Sequence, residues 1–208
     1  MMNKLILSLG MSLFLLSGCS SILPKGAPAP RQYTLNAPVT TEAGDKIPAR
    51  LQILIPQATP GLETERIVLR NTDNQVDYFA DTKWTGTLTA LVQSLLVESF
   101  DNTHRLQSVG SDLVAINQNY NLLIEIRDFQ AEYLKGSSNP RAHIRIIAKL
   151  IKSDTNDVVT TNTYDESAMA SGNNLQEIIP AFDKAWQQAS AKIVSDTLQT
   201  LGTIPVKK

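Results

Sequence analysis

Tyr120-Asn121-Leu122-Leu123-Ile124-Glu125-Ile126-Arg127-Asp128-Phe129-Gln130-Ala131-Glu132-Tyr133-Leu134 is the stretch whose reading decides the fold. Side chains alternate across a strand, so Leu122, Ile124 and Ile126 share one face. Beyond Asp128 the apolar residues are Phe129, Ala131 and Tyr133, on odd numbers. A strict strand cannot change faces. The pattern therefore predicts one extra residue, a β-bulge, near Arg127–Asp128.

Downstream, Ala142, Ile144, Ile146, Ala148 and Leu150 alternate in a second strand, and Ser153 to Asp157 is a polar turn. Val158 to Met169 returns, so the three strands read as an antiparallel meander. Upstream, short strands are expected at Gln32–Leu35, Arg50–Ile55, Arg66–Arg70, Val76–Ala80 and Arg105–Val109, the third and fourth as a hairpin. Leu88, Leu91, Val92, Leu95, Leu96 and Ser99 keep the spacing of one helical face, with Thr85 or Thr87 as cap. Phe182, Trp186, Ala189, Ile193 and Leu201 mark a second helix. It starts either at Leu175 behind Asn174, with a kink at Pro180, or afresh at Pro180. Two amphipathic helices need a surface to cover, and a mainly antiparallel sheet supplies one. The expected class is α+β, a two-layer sandwich.

Ahead of this domain, Lys4 and the apolar run Leu5 to Leu16 have the anatomy of a signal peptide over residues 1–18. Twelve residues are too few for a spanning helix, which needs ~20. Leu16-Ser17-Gly18-Cys19 resembles the lipobox of bacterial lipoproteins at all four positions. That resemblance implies lipid on Cys19, cleavage after Gly18 and acylation of the new amino terminus. Ser20 in place of Asp implies sorting to the outer membrane, periplasmic face. Residues 19–31 carry Pro24, Pro28 and Pro30 and read as a tether, with the domain spanning 32–204. At ~3.1 Å per residue the tether reaches about 35–40 Å.

Removing Lys4 with residues 1–18 leaves 18 basic and 20 acidic side chains, a net of −2. That argues against a nucleic-acid surface, which is basic and clustered. Cys19 is the only cysteine, so no disulfide is expected and packing alone must hold the core. No zinc-ligand spacing, nucleophile elbow or phosphate-binding glycine loop is present. His143 shares a strand face with Arg145 and Lys149 and reads as a solvent-side residue. Asp77 with Asp81, or Glu125 with Asp128, are carboxylate pairs of the kind glycosidases use. A chain with 20 acids offers such pairs by chance. No enzymatic activity, metal or cofactor is expected beyond the covalent lipid.

One window carries more. Thr59-Pro60-Gly61-Leu62-Glu63-Thr64-Glu65-Arg66-Ile67-Val68-Leu69-Arg70 is followed by Tyr78-Phe79-Ala80 and Trp84. Tyr33-Thr34-Leu35 precedes it, and Leu123-Ile124-Glu125-Ile126-Arg127-Asp128-Phe129 follows with the spacing intact. In this order, behind a lipobox, the pieces resemble the ABC-type transport auxiliary lipoproteins, the PqiC-like family. Leu69, where an aromatic is common, and Thr85-Gly86, where Pro often begins the helix, depart from the pattern. The resemblance implies an outer-membrane docking component beside a periplasm-spanning MCE-domain protein in intermembrane phospholipid transport, with a homo-oligomer left open. Tyr78, Phe79 and Trp84 are candidate partner contacts, types enriched at interface hot spots. The favoured alternative is that they clamp the first helix onto the sheet. Competing functions are a carrier holding a lipid chain between sheet and helices, and a lipopolysaccharide-assembly or envelope-enzyme-activator lipoprotein of similar fold. For the last, anionic lipopolysaccharide favours a more basic surface than a net of −2 gives.

Cys19→Ala should release the protein from membranes in an alkaline wash. A variant that stays firmly bound contradicts the lipid attachment.

Overall fold

The computed structural model describes residues 29–38, 44–72, 75–111 and 117–204. The expected signal peptide, Cys19 and most of the tether lie outside the described residues. One nine-stranded sheet holds β1 Arg31–Tyr33, β2 Ile47–Ile53, β3 Gln57–Ala58, β4 Arg66–Arg70, β5 Val76–Trp84, β6 Leu106–Ser111, β7 Tyr120–Glu132, β8 Arg141–Lys152 and β9 Val158–Met169. Helices α1 Leu88–Asn102 and α2 Leu175–Thr203 touch each other and the sheet.

β7 is the axis of this sheet. One of its edges pairs antiparallel with β8, which pairs antiparallel with β9. Its other edge takes β2, β3 and β4 in succession, all parallel. β6 lies parallel beyond β2, β5 antiparallel beyond β4, and β1 parallel beyond β5. The long ladders are antiparallel, so the α+β class with a mainly antiparallel sheet and two helices is the expected one. The parallel pairings and the two-residue β3 were not foreseen. A parallel partner arrives through a long connection, and no local pattern announces it. Because β1 follows β5, and β5 opposes β4, β1 runs antiparallel to β7. Arg31 therefore lies on the side of Tyr33 nearer the C-terminal end of β7.

The bulge is where the alternation places it. Ile126 faces Ile146 across the ladder, and the next register pair is Asp128 with Arg145. Arg127 is the extra residue. Its insertion keeps Phe129 and Ala131 on the same side as Leu122, Ile124 and Ile126, all buried. A bulge leaves backbone groups unpaired, and buried ones must find partners. The Phe129 N–H donates to Gln130 Oε1 at 3.0 Å. The Thr59 hydroxyl donates to the carbonyls of Ile126 and Arg127 at 3.3 and 3.1 Å, and the Thr59 N–H to Ile126 O at 3.0 Å. The turn that brings Thr59 there needs Gly61, whose φ of 94° suits a residue without Cβ.

Phe129 is the first core residue past the bulge, and an aromatic quartet gathers on it. Its ring stacks on Phe182 at 5.7 Å and meets Trp186 at 6.4 Å. Trp84 stands edge-on to both Phe129 and Phe182, at 6.0 and 5.4 Å. Such pairs add about 0.5–1.5 kcal/mol each beyond burial. The quartet ties β5, β7 and α2 together. β8 supplies the neighbouring layer with Ala142, Ile144, Ile146, Ala148 and Leu150, all buried.

Both helix starts follow local capping. Thr87 accepts the Ala90 N–H at the head of α1. Asn174 and Glu177 form a reciprocal capping box at the head of α2. Of the two expected starts the one at Leu175 is realised, and α2 runs through Pro180. The capping box satisfies two N-terminal donors, which offsets the single hydrogen bond that Pro180 removes.

Phe129→Ala should lower the free energy of unfolding by about 3–5 kcal/mol in chemical denaturation. A loss well below that range would deny the quartet its role.

Candidate functional site

The bulge has a second consequence, on the face away from the helices. Asp128, Gln130 and Glu132 turn onto it, where β8 presents Arg145, His143 and Arg141 as their register partners. From the other edge, β4 sets Arg70 level with Glu132. From beyond β8, β9 sets Asp165 level with Arg145. Complementary charges are thus delivered by four strands to one patch.

Glu132 is the hub. Its Oε1 accepts from Arg70 at 2.7 Å, from Gln130 at 2.9 Å and lies 2.9 Å from His143 Nδ1. Its Oε2 accepts from Arg141 at 2.9 Å. His143 Nε2 lies 2.9 Å from Asp165. Asp128 pairs with Arg145 at 2.5 Å and Arg70 at 3.5 Å, and accepts from Gln130 at 3.0 Å. Burial alone would raise the Glu132 pKa. The hydrogen bonds from Gln130, His143 and Arg141 outweigh it and hold the value down to about 2.

The reading of His143 as a solvent-side residue is corrected here. It stands on the face away from the core, as its alternation required, but is only 9% exposed. Glu132 and Asp165 close on its two ring nitrogens. Ligand-type atoms of Asp128, Glu132 and His143 lie within 4.8 Å of one another. Each is already engaged by a donor or a cation, which makes the cluster a filled charge lattice. Of the carboxylate pairs suggested by sequence, Glu125, Asp128 and Asp77 are engaged too. Glu125 is held by Lys149 at 2.5 Å and by Arg127, and its pKa is lowered, chiefly by the Lys149 hydrogen bond. Asp77 accepts the N–H of Tyr78.

The candidate partner contacts separate. Trp84 is 1% exposed in the quartet and offers no surface to a partner. Tyr78 and Phe79 are half-buried on β5. The Arg66 guanidinium lies 3.7 Å from the centroid of the Tyr78 ring. The window from Thr59 to Arg70 is largely structural. Thr59 caps the bulge, Leu62, Ile67 and Val68 are buried, and Arg70 enters the lattice. Sequence reading missed the lattice itself. The signal was present as acids at 128 and 132 facing bases at 145 and 141, once the bulge set the register.

The family model for ABC-type transport auxiliary lipoprotein component matches residues 33–194. The uncharacterized protein bll6063 of Bradyrhizobium diazoefficiens is 25% identical over 186 residues, covering 88% of this chain and 49% of its own length. The chain thus spans about half the length of that curated relative. Among solved structures, protein XCC0632 from Xanthomonas campestris superposes with a TM-score of 0.70 at 24% identity, over 83% of this chain and 95% of that one. The hypothetical protein CT253 from Chlamydia trachomatis gives 0.53 at 10% identity, over 74% and 98%. Both likenesses are of fold.

A carboxylate whose pKa is lowered on folding stabilises the fold above its unfolded value. It gives that stabilisation up as the pH falls through the folded value. Thermal stability should therefore drop between about pH 4.5 and pH 2, and Glu132→Gln should flatten that drop. At neutral pH the same variant should cost about 3 kcal/mol, because it leaves buried cations under-paired. An unchanged pH profile would contradict the hub role.

Proposed function

The chain belongs to the family of ABC-type transport auxiliary lipoprotein components, and from that premise we propose that it is the outer-membrane docking component of an MCE-type lipid transport system. In this reading it is not an enzyme. Cys19 carries the lipid, and the Pro-rich residues 19–31 hold the domain within reach of the periplasmic face of the outer membrane. A tether of this kind raises the effective concentration of the domain for a partner arriving at that membrane. The observation that carries the reading is the family match over residues 33–194 directly behind a lipobox.

Further features support it. No described helix is long and apolar enough to cross a membrane, which is compatible with attachment by lipid. The described chain enters the sheet at β1, heading away from the C-terminal end of β7. Tyr78 and Phe79, with Arg66 stacked on the former, remain available on β5 as partner contacts.

A photo-crosslinking residue placed at Phe79, half-buried on β5, tests the reading in cells. An MCE-domain protein should be recovered in the crosslinked product. Recovery of outer-membrane barrel components alone would contradict it.

A further inference from the structure

At the N-terminal end of β7, the strand starts of β2 and β6, the end of β8 and the last turn of α2 enclose a cleft of about 620 Å³. That volume lies within the ~300–1,000 Å³ of small-ligand pockets. Apolar surface comes from Ile47, Tyr120, Leu201 and Ile204. The rim carries four cations, Lys46, Arg50, Arg105 and Lys152, against two carboxylates, Asp45 and Asp154.

The state of these cations separates the cleft from the lattice described above. In the lattice each arginine is met by a carboxylate. In the cleft none of the four forms an ion pair among the described residues. Two are aimed by neutral backbone: Lys46 Nζ donates to His104 O at 2.6 Å, and Arg105 Nε to Asp45 O at 2.8 Å. Arg50 Nε is buried without any hydrogen-bond partner. A buried donor of a charged group left unmade costs more than a neutral one. The C-terminal end of α2 adds about half a negative charge at the apolar wall. The cations still outweigh it together with the two carboxylates.

We propose that this cleft binds a single-chain anionic amphiphile, its phosphate or carboxylate on Arg50 and Lys152 and its chain against Ile47, Tyr120 and Leu201. A charged donor without a partner selects an anion, and the apolar wall selects one that carries a chain. The proposal rests on the lipid-transport reading only for where such a ligand comes from. The site lies at the end of the domain away from β1, where a partner would deliver or collect it.

The test uses isolated envelopes from cells making the full chain without any added partner. They are labelled with a photoactivatable lysophosphatidate, a photoactivatable fatty acid, or a neutral alkyl maltoside bearing the same chain. Peptides holding Ile47–Arg50 or Leu201–Ile204 should be labelled by the two anions and not by the maltoside. Arg50→Gln should reduce the labelling about tenfold, the loss of one charged hydrogen-bond partner. Gly202→Phe is the second variant. Gly202 lines the cleft, and a Cβ there meets only Ile47 Cδ1, at 3.9 Å, so a larger side chain at this position is expected to obstruct the cleft. It should abolish labelling while leaving the thermal midpoint near that of the unaltered chain. Equal labelling by the maltoside, or labelling indifferent to both variants, would overturn the proposal. So would full displacement by inorganic phosphate alone, which would assign the site to the free ion. Because the readout is labelling of the cleft's own peptides, failure here leaves the docking reading to its own crosslink.

Discussion

The extra residue at Arg127 is the constraint on which the rest of the structure depends. A strand as long as β7 has two faces and one period. Without an insertion, Asp128, Gln130 and Glu132 would follow Ile126 into the core, and Phe129 would leave it. With it, both halves of β7 present apolar side chains to the helices. The quartet of Trp84, Phe129, Phe182 and Trp186 exists because Phe129 faces inward. The charge lattice exists because its neighbours face outward. The same insertion thus builds the core on one side and the polar surface on the other.

The lattice is expensive to bury, since ions taken from water regain their solvation only through well-made partners. Here Glu132 meets polar partners on both oxygens from two neighbouring strands, β4 and β8, and from Gln130 on its own strand. Apolar residues in these places would pack in more than one register, whereas Arg141 and Arg145 are paired with Glu132 and Asp128 in the register observed. The lattice therefore reads as a register lock on the join between β4, β7 and β8, leaving the cleft at the far end of β7 as the place where cations stand unmatched.

Much of this was legible in the chain. The meander, the bulge and both helices are local patterns, whereas the helix starts were open between Thr85 and Thr87 and between Leu175 and Pro180 until the structure selected the caps at Thr87 and Asn174. The parallel attachment of β2, β3 and β4 to β7 was not legible, because short strands of five or seven residues do not encode which neighbour they join. His143 was read on the right face but in the wrong environment, since the residues that cover it come from β7 and β9. Trp84 was ambiguous between surface and core until Phe129 and Phe182 were seen to enclose it. Cys19, the most specific residue in the sequence, lies outside the described structure and stands on its motif. The family window shows how a pattern can be right for a structural reason: Thr59 and Gly61 cap the bulge, and Arg70 locks it.

The central claim is that Arg127 matters for being an additional residue rather than for its side chain. Unfolding of two variants measured side by side tests it most directly. Arg127→Ala should keep the cooperative transition and lose no more than about 1 kcal/mol, the worth of an exposed ion pair. Deleting Arg127 should abolish that transition, because every residue on one side of the deletion changes face. A deletion variant that unfolds cooperatively near the midpoint of the unaltered chain would contradict the account.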